Sequence, residues 1–276
     1  MEYLKHNFCY FLLFGIISLS GISCEKTIDF NFKSDKSEFL IVDGILTNEN
    51  KFQEINLSKS FALPNEQPKS VSGADVSVFD GTQTYHFTED SSEIYLSDVK
   101  FGVVINKTYS LRIIYENREY TAKARAVPVL SHNSLNYIQY NDSLYYFPQA
   151  TAEFSPDEAA MYEINADWSF LPVYENLPEK ETKAKMFFYI LRTIDVNEIF
   201  NPPHEKVYFP KGTRLAVKKY SLSPEHEKFI RSLLLETQWN GGNFDTEEDN
   251  VYTNISAGAF GFFGASIVLS DTVTVK

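Results

Sequence analysis

Cysteine is almost absent from this sequence. The 276 residues contain two cysteines, Cys9 inside an apolar N-terminal run and Cys24 just after that run. A disulfide framework requires pairs of cysteines in the folded part of a chain, and no cysteine follows Cys24. The core alone must therefore stabilise the fold, and a hydrophobic content of 43% over this length is enough for one large domain or two modest ones.

Clustered positive charge is also missing. The chain has 25 Lys and Arg against 37 Asp and Glu, a formal net charge of -12. Its densest basic stretch, residues 211–219, alternates with apolar residues as one face of a strand does. Nucleic acids and anionic lipid headgroups bind clustered Lys and Arg. The composition therefore argues against nucleic acid as a partner.

Familiar catalytic motifs are absent as well. The sequence has no Gly-x-Ser-x-Gly elbow, no phosphate loop and no dinucleotide-binding glycine motif. His-Glu occurs at 204–205 and 226–227, but a zinc peptidase needs a second histidine one helical turn later. Those positions hold Tyr208 and Ile230. We therefore predict a protein that is not an enzyme and needs no cofactor, with His226 on the polar face of a helix.

One acidic segment is the only candidate metal site. Its carboxylates are Asp245, Glu247, Glu248 and Asp249, and calcium prefers several such oxygen ligands. The EF-hand loop requires glycine at its sixth position, which is Asn250 here. The pattern therefore favours a solvated acidic loop over a calcium site.

The N-terminus has the composition of an export signal. Lys5 precedes an apolar run over residues 8–19, and small residues at 20–23 lead to Cys24. A transmembrane helix needs about 20 apolar residues, and this run is shorter. A cysteine after small residues is where lipoprotein signal peptidase cuts. We predict that residues 1–23 are removed and that Cys24 carries palmitate-type acyl chains, which anchor the protein at the outer membrane.

Alternating apolar residues predict a mainly β protein. Residues 28–32, 53–59, 76–79, 84–87, 109–115 and 120–126 have this period-two pattern, with turns at Asp80-Gly81 and Glu116-Asn117, and the continuous apolar run 39–42 is typical of a buried strand. We predict an immunoglobulin- or transthyretin-like antiparallel β-sandwich over residues 24–128. A β-rich domain over 129–276 follows, with strands at 135–140, 144–154, 161–170, 186–192 and 214–220.

One prominent helix is predicted at 223–236. Ser223 can cap it, Pro224 suits its first position, and Phe229, Ile230, Leu233 and Leu234 form its buried stripe. The apolar, glycine-interrupted tail over 258–269 is too short for a membrane span, so we predict a core strand there.

Two tyrosine clusters are the candidate ligand-binding residues. They comprise Tyr137 and Tyr140 in the first and Tyr145 and Tyr146 in the second. Aromatic faces bind sugars or peptides at little ordering cost. In the alternative interpretation, half of each cluster is core and the other half is sheet surface.

Several segments together resemble a known family. They are Gly73-Ala-Asp-Val-Ser-Val-Phe79, Phe101-Gly-Val-Val, Ser221-Leu-Ser-Pro, Val251-Tyr-Thr-Asn-Ile255 and Gly261-Phe-Phe-Gly264. Their order and spacing are similar to those of the domain of unknown function 4249 family. That resemblance implies an envelope lipoprotein of Bacteroidetes-type bacteria, encoded near TonB-dependent outer-membrane transporters, without an established activity or site.

These observations favour a non-enzymatic outer-membrane or cell-surface lipoprotein. We expect it to bind a small nutrient, a peptide or a glycan, or to dock on a TonB-dependent transporter. The first alternative is a structural or adhesive envelope module without a small-molecule ligand. The second is a hydrolase, which the missing motifs disfavour.

Overall fold

A computed structural model describes residues 38–60, 69–90, 94–131, 135, 137–147, 158–192, 206–237 and 251–276. All of them belong to one compact unit, Glu38–Lys276. The predicted signal peptide, the strand at 28–32 and the acidic loop at 245–249 lie outside the described residues. Neither described helix has the length and apolar character needed to cross a membrane.

The described chain is mainly β, which confirms the predicted fold class. The strands are β1 Leu40–Thr47, β2 Glu54–Lys59, β3 Lys69–Ser70, β4 Asp75–Phe79, β5 Thr84–Glu89, β6 Ile94–Ser97, β7 Thr108–Tyr115, β8 Arg118–Arg125, β9 Ile138–Gln139, β10 Leu144–Tyr146, β11 Ala160–Asp167, β12 Lys183–Ile190, β13 Tyr208–Pro210, β14 Arg214–Ser221, β15 Ala259–Ser266 and β16 Val268–Thr274. The helices are α1 Glu179–Thr182 and α2 Pro224–Thr237.

The first sheet has the strand order β15-β1-β2-β6-β5-β4-β7-β8, with β3 paired to β2. The two ends of this order meet, because Val127 bridges Ser266 and the Ser256 N–H donates to the Thr121 carbonyl at 2.8 Å. The sheet therefore nearly closes around one core, to which Leu46, Ile55 and Tyr109 belong.

The two predicted hairpins are present. Gly81 has φ +95° in the turn between β4 and β5, and the Asp80 carboxylate accepts hydrogen bonds from the Thr82 and Gln83 backbones. Glu116 and Asn117 both have positive φ between β7 and β8, the conformation of a tight two-residue hairpin turn. Turn chemistry and period-two alternation thus set the register of these strands.

The later strands form two further sheets. Four antiparallel strands have the order β12-β11-β14-β16, and a small sheet has the order β13-β10-β9. Both contribute to a second core, which includes Tyr162 and Ile164 of β11, Phe147 after β10 and Phe209 of β13. The strands predicted at 161–170 and 186–192 are shifted, since β11 ends at Asp167 and β12 begins at Lys183.

Strand β15 connects the two halves of the chain. It pairs in parallel with β1, from Leu40 opposite Ala259 to Thr47 opposite Ser266. After Ile267 the chain enters β16 of the four-stranded sheet. The tail is therefore a core strand, as predicted. The domain boundary near residue 128 stays a prediction. One strand that follows this boundary in the chain, β15, belongs to the first sheet.

Helix α2 begins where the sequence predicts. The His226 N–H donates to the Ser223 hydroxyl at 3.2 Å, which makes Ser223 the N-cap. The predicted stripe is partly wrong, because Leu233 is 38% exposed. His226, predicted on the polar face, is buried instead. Its ring stacks on Phe262 of β15 at 4.7 Å between centroids, a contact that local sequence does not reveal.

Candidate functional site

Part of the predicted site lies outside the described residues. Cys24 belongs to this part, as do Asp245, Glu247, Glu248 and Asp249. The lipid anchor and the acidic loop stay predictions. Among the residues that are described, no three His, Cys, Asp or Glu side chains are grouped closely enough to hold a metal ion.

The four candidate tyrosines meet in the small three-stranded sheet and divide between its two faces. Tyr145 pairs with Gln139 and Tyr146 with Ile138 across β10 and β9. Alternation along the strands then places Tyr137 and Tyr145 on the inner face, with their rings 5.7 Å apart. Both pack against the second core. One tyrosine of each cluster therefore packs, partly buried, against the second core.

The outer face of this sheet presents an exposed aromatic surface, which we call the tyrosine face. Its members are Ile138, Tyr140, Tyr146 and Tyr208, the last from the neighbouring strand β13. Tyr140 is 60% exposed and Ile138 is 45% exposed. The Tyr208 ring lies 4.7 Å from that of Tyr140 and 5.8 Å from that of Tyr146. Three phenol rings thus form one contiguous surface.

A cation completes the tyrosine face. The Lys206 ammonium lies 4.9 Å from the centre of the Tyr146 ring, within the range of a cation–π contact. Sequence reasoning missed Lys206, Ile138 and Tyr208 as site residues. Tyr208-Phe209 repeats the outward–inward alternation of Tyr146 and Tyr145, and this signal could have identified the third strand.

Rings held in this way can take part in recognition without reorganising. Phe209 lies in the packed core behind the sheet, and the partly buried Tyr137 and Tyr145 pack against that core, so the outer rings are supported from behind. Tyrosine offers a large apolar area and a hydroxyl with few rotatable bonds. The face therefore suits contact with another ring, an apolar side chain or a guanidinium group.

The described residues form a mainly β protein. The chain passes from the first sheet to the four-stranded sheet through β15 and β16, and helix α2 packs against β15. The chain belongs to the family described as Domain of unknown function (DUF4249), whose model matches residues 25–272. The resemblance drawn from the sequence is confirmed at that level. A search of curated proteins found no match.

Three of the segments that carry the resemblance converge on β15. Asn254 exchanges two hydrogen bonds with the backbone of Phe263, at 2.7 and 3.0 Å. The Thr253 hydroxyl donates to the Gly261 carbonyl at 2.7 Å. Ser221 accepts from the Ile267 N–H at 2.9 Å. These segments therefore hold one strand in place.

Proposed function

We propose that this chain is a non-enzymatic, lipid-anchored protein of the outer membrane that serves as an accessory of a TonB-dependent transporter. The tyrosine face is its contact surface. The observation that carries this proposal is the exposed cluster of three tyrosine rings, with Tyr140 at 60% exposure and Tyr208 at 38%.

Exposed contiguous aromatic surface is unusual in a protein that works alone. Large apolar patches on soluble folds mark interaction sites, and tyrosine is enriched in the centre of protein interfaces. The face is also supported from behind by rings that belong to or pack against the second core. A preorganised surface loses less conformational entropy on binding, so a few rings can supply most of the affinity.

The predicted anchor limits which partners are available. Cys24 and Glu38 are 14 positions apart, and an extended chain of that length spans at most about 50 Å. A multiply acylated cysteine holds a protein stably on a membrane. The folded unit would then stay within that distance of the bilayer, where integral outer-membrane proteins are the partners within reach.

Co-purification tests the contact surface. Tagged protein from detergent-solubilised native membranes should recover a TonB-dependent transporter, and Tyr140→Ala/Tyr208→Ala should recover at least about tenfold less. Phe170→Ala/Phe187→Ala is the matched control, since these rings are 43% and 45% exposed on other elements. Full recovery by the tyrosine variant would refute the assigned surface. Recovery of no transporter by the wild type would favour a structural or adhesive module.

Cys24→Ser tests the anchor independently. We expect the variant to leave the membrane fraction and to incorporate no labelled palmitate, because the thioether cannot form on serine. Wild-type protein should label and fractionate with membranes. A variant that remains membrane-bound with its N-terminal segment uncleaved would show that residues 8–19 are an anchor in their own right.

A further inference from the structure

A broad groove lies on the outer face of the first sheet, across strands β5, β4, β7 and β8. Its volume is about 960 Å³, at the upper end of the range for small-ligand sites. The strands form its floor, and the segment 252–256 together with Glu225 of helix α2 forms its wall. This groove shares no residue with the tyrosine face.

The floor is built from two cross-strand rows whose members follow from the strand register. The first row is Thr84, Phe79, Ser110 and Lys123, and the second is His86, Ser77, Arg112 and Thr121. Neighbouring strands are about 4.8 Å apart, so adjacent side chains in a row are separated by about that distance. The two rows together present hydroxyl groups, one exposed ring and two cations. The intervening residues, such as Val78 and Leu111, point inward to the core.

The wall occupies the edge of β8. Ser256 and Thr121 exchange two hydrogen bonds, at 2.8 and 2.9 Å, and the Asn254 amide donates to the Lys123 carbonyl at 3.2 Å. A peptide that adds to a sheet needs free backbone groups at a strand edge, and these are already used here. Recognition in the groove must therefore rely on the side chains of the floor.

Those side chains match the chemistry of a sugar. Serine and threonine hydroxyls both donate and accept, as sugar hydroxyls do. Phe79 is 45% exposed on the floor, and its ring can lie against the C–H face of a sugar ring. An oligosaccharide presents hydroxyls and apolar faces in alternation along its length, which fits a floor with this composition.

One charge of the groove, Lys123, is placed to bind an acidic sugar. Arg112 lies 3.3 Å from Glu119 and 3.8 Å from Asp75, so its charge is shared. Lys123 makes no ion pair within the part of the chain that is described. Glu225 is the one acidic residue in the lining of the groove. With Arg112 paired to two carboxylates, Lys123 is the cation of the groove that a ligand carboxylate can meet.

We infer that this groove binds an acidic oligosaccharide of the uronic acid type, with Phe79 beneath one sugar ring and Lys123 at a carboxylate. The inference goes beyond docking to a transporter and does not rest on it. It assigns the sugar face to Phe79 and the acidic preference to Lys123, so two substitutions can separate the two contributions.

Calorimetric titration of the full-length chain in detergent tests the site. The probes are tetragalacturonate, which is acidic, and cellotetraose, which is neutral and of equal length. We expect wild type to bind the acidic probe at least about tenfold more tightly. Phe79→Ala should weaken that binding by about tenfold or more. Phe187→Ala, equally exposed at 45% on another sheet, should not change it.

Lys123→Gln tests the charge assignment. This variant should bind the two probes with nearly equal affinity and should lose most of the salt dependence of acidic binding, because screening acts on the ion pair. No binding of either probe at millimolar concentration, or a Phe79→Ala variant that behaves like its control, would overturn the site. Equal wild-type affinities for both probes would overturn the acidic preference. None of these results depends on a transporter.

Discussion

Gly261 provides the sharpest test of how β15 is held. Its φ is +96°, and a Cβ at this position would lie 2.0 Å from the Val42 carbonyl oxygen of β1. A backbone atom cannot move aside as a flexible side chain can. Gly261→Ala should therefore combine a conformational cost of about 1–2 kcal/mol with about 1–3 kcal/mol of overpacking. The free energy of unfolding should fall by about 2–5 kcal/mol.

Gly81 is the matched control for this substitution. Its φ is +95°, but a Cβ there would meet no atom within 4 Å. Gly81→Ala thus carries the conformational cost alone, and the difference between the two variants isolates the clash with β1. Urea unfolding of both variants measures that difference. Equal losses of stability would refute the close parallel pairing of β15 with β1.

Two further predictions concern buried charge. Burial lowers the pKa of His226 from 6.5 to about 4, so the unfolded chain takes up a proton first as the pH falls. The free energy of unfolding should therefore drop by up to roughly 3 kcal/mol between about pH 6.5 and 4, and His226→Phe should lose that dependence in urea unfolding at pH 7 and 4.5. Lys219 is 2% exposed and lies 2.7 Å from Glu158, so Lys219→Met should cost about 3–5 kcal/mol. Lys218→Met, at a partly exposed ion pair, should cost less than about 1 kcal/mol, and similar losses in both would contradict the burial argument.

The elements that sequence predicts well are those whose cause is local. The Asp80-Gly81 and Glu116-Asn117 turns could be predicted because Gly81 and Asn117 are residue types that adopt the positive φ these turns require. Ser223 caps α2 for a similar reason. A side chain two positions along a strand returns to the same face, so the strand register accounts for the division of the tyrosines between the two faces.

The elements that sequence predicts poorly depend on contacts between distant segments. Leu40 of β1 lies opposite Ala259 of β15, and no local sequence pattern predicts that these two strands pair. The pairing brings Phe262 against α2, where it stacks on His226 and on Phe229. The buried face of the helix therefore includes His226 in its first turn, and Leu233 is left exposed. Tyr208 was not predicted as part of the tyrosine face for the same reason, because it lies on β13, which is distant in sequence from β9 and β10.

The two proposed surfaces are separable by their construction. The tyrosine face is built on β9, β10 and β13, whereas the groove is built on β4, β5, β7 and β8. Substitutions at distant sites without shared partners have additive effects. Phe79→Ala should therefore leave transporter recovery unchanged, and Tyr140→Ala/Tyr208→Ala should leave sugar affinity unchanged. Loss of both functions from either variant would mean that one surface acts through the other.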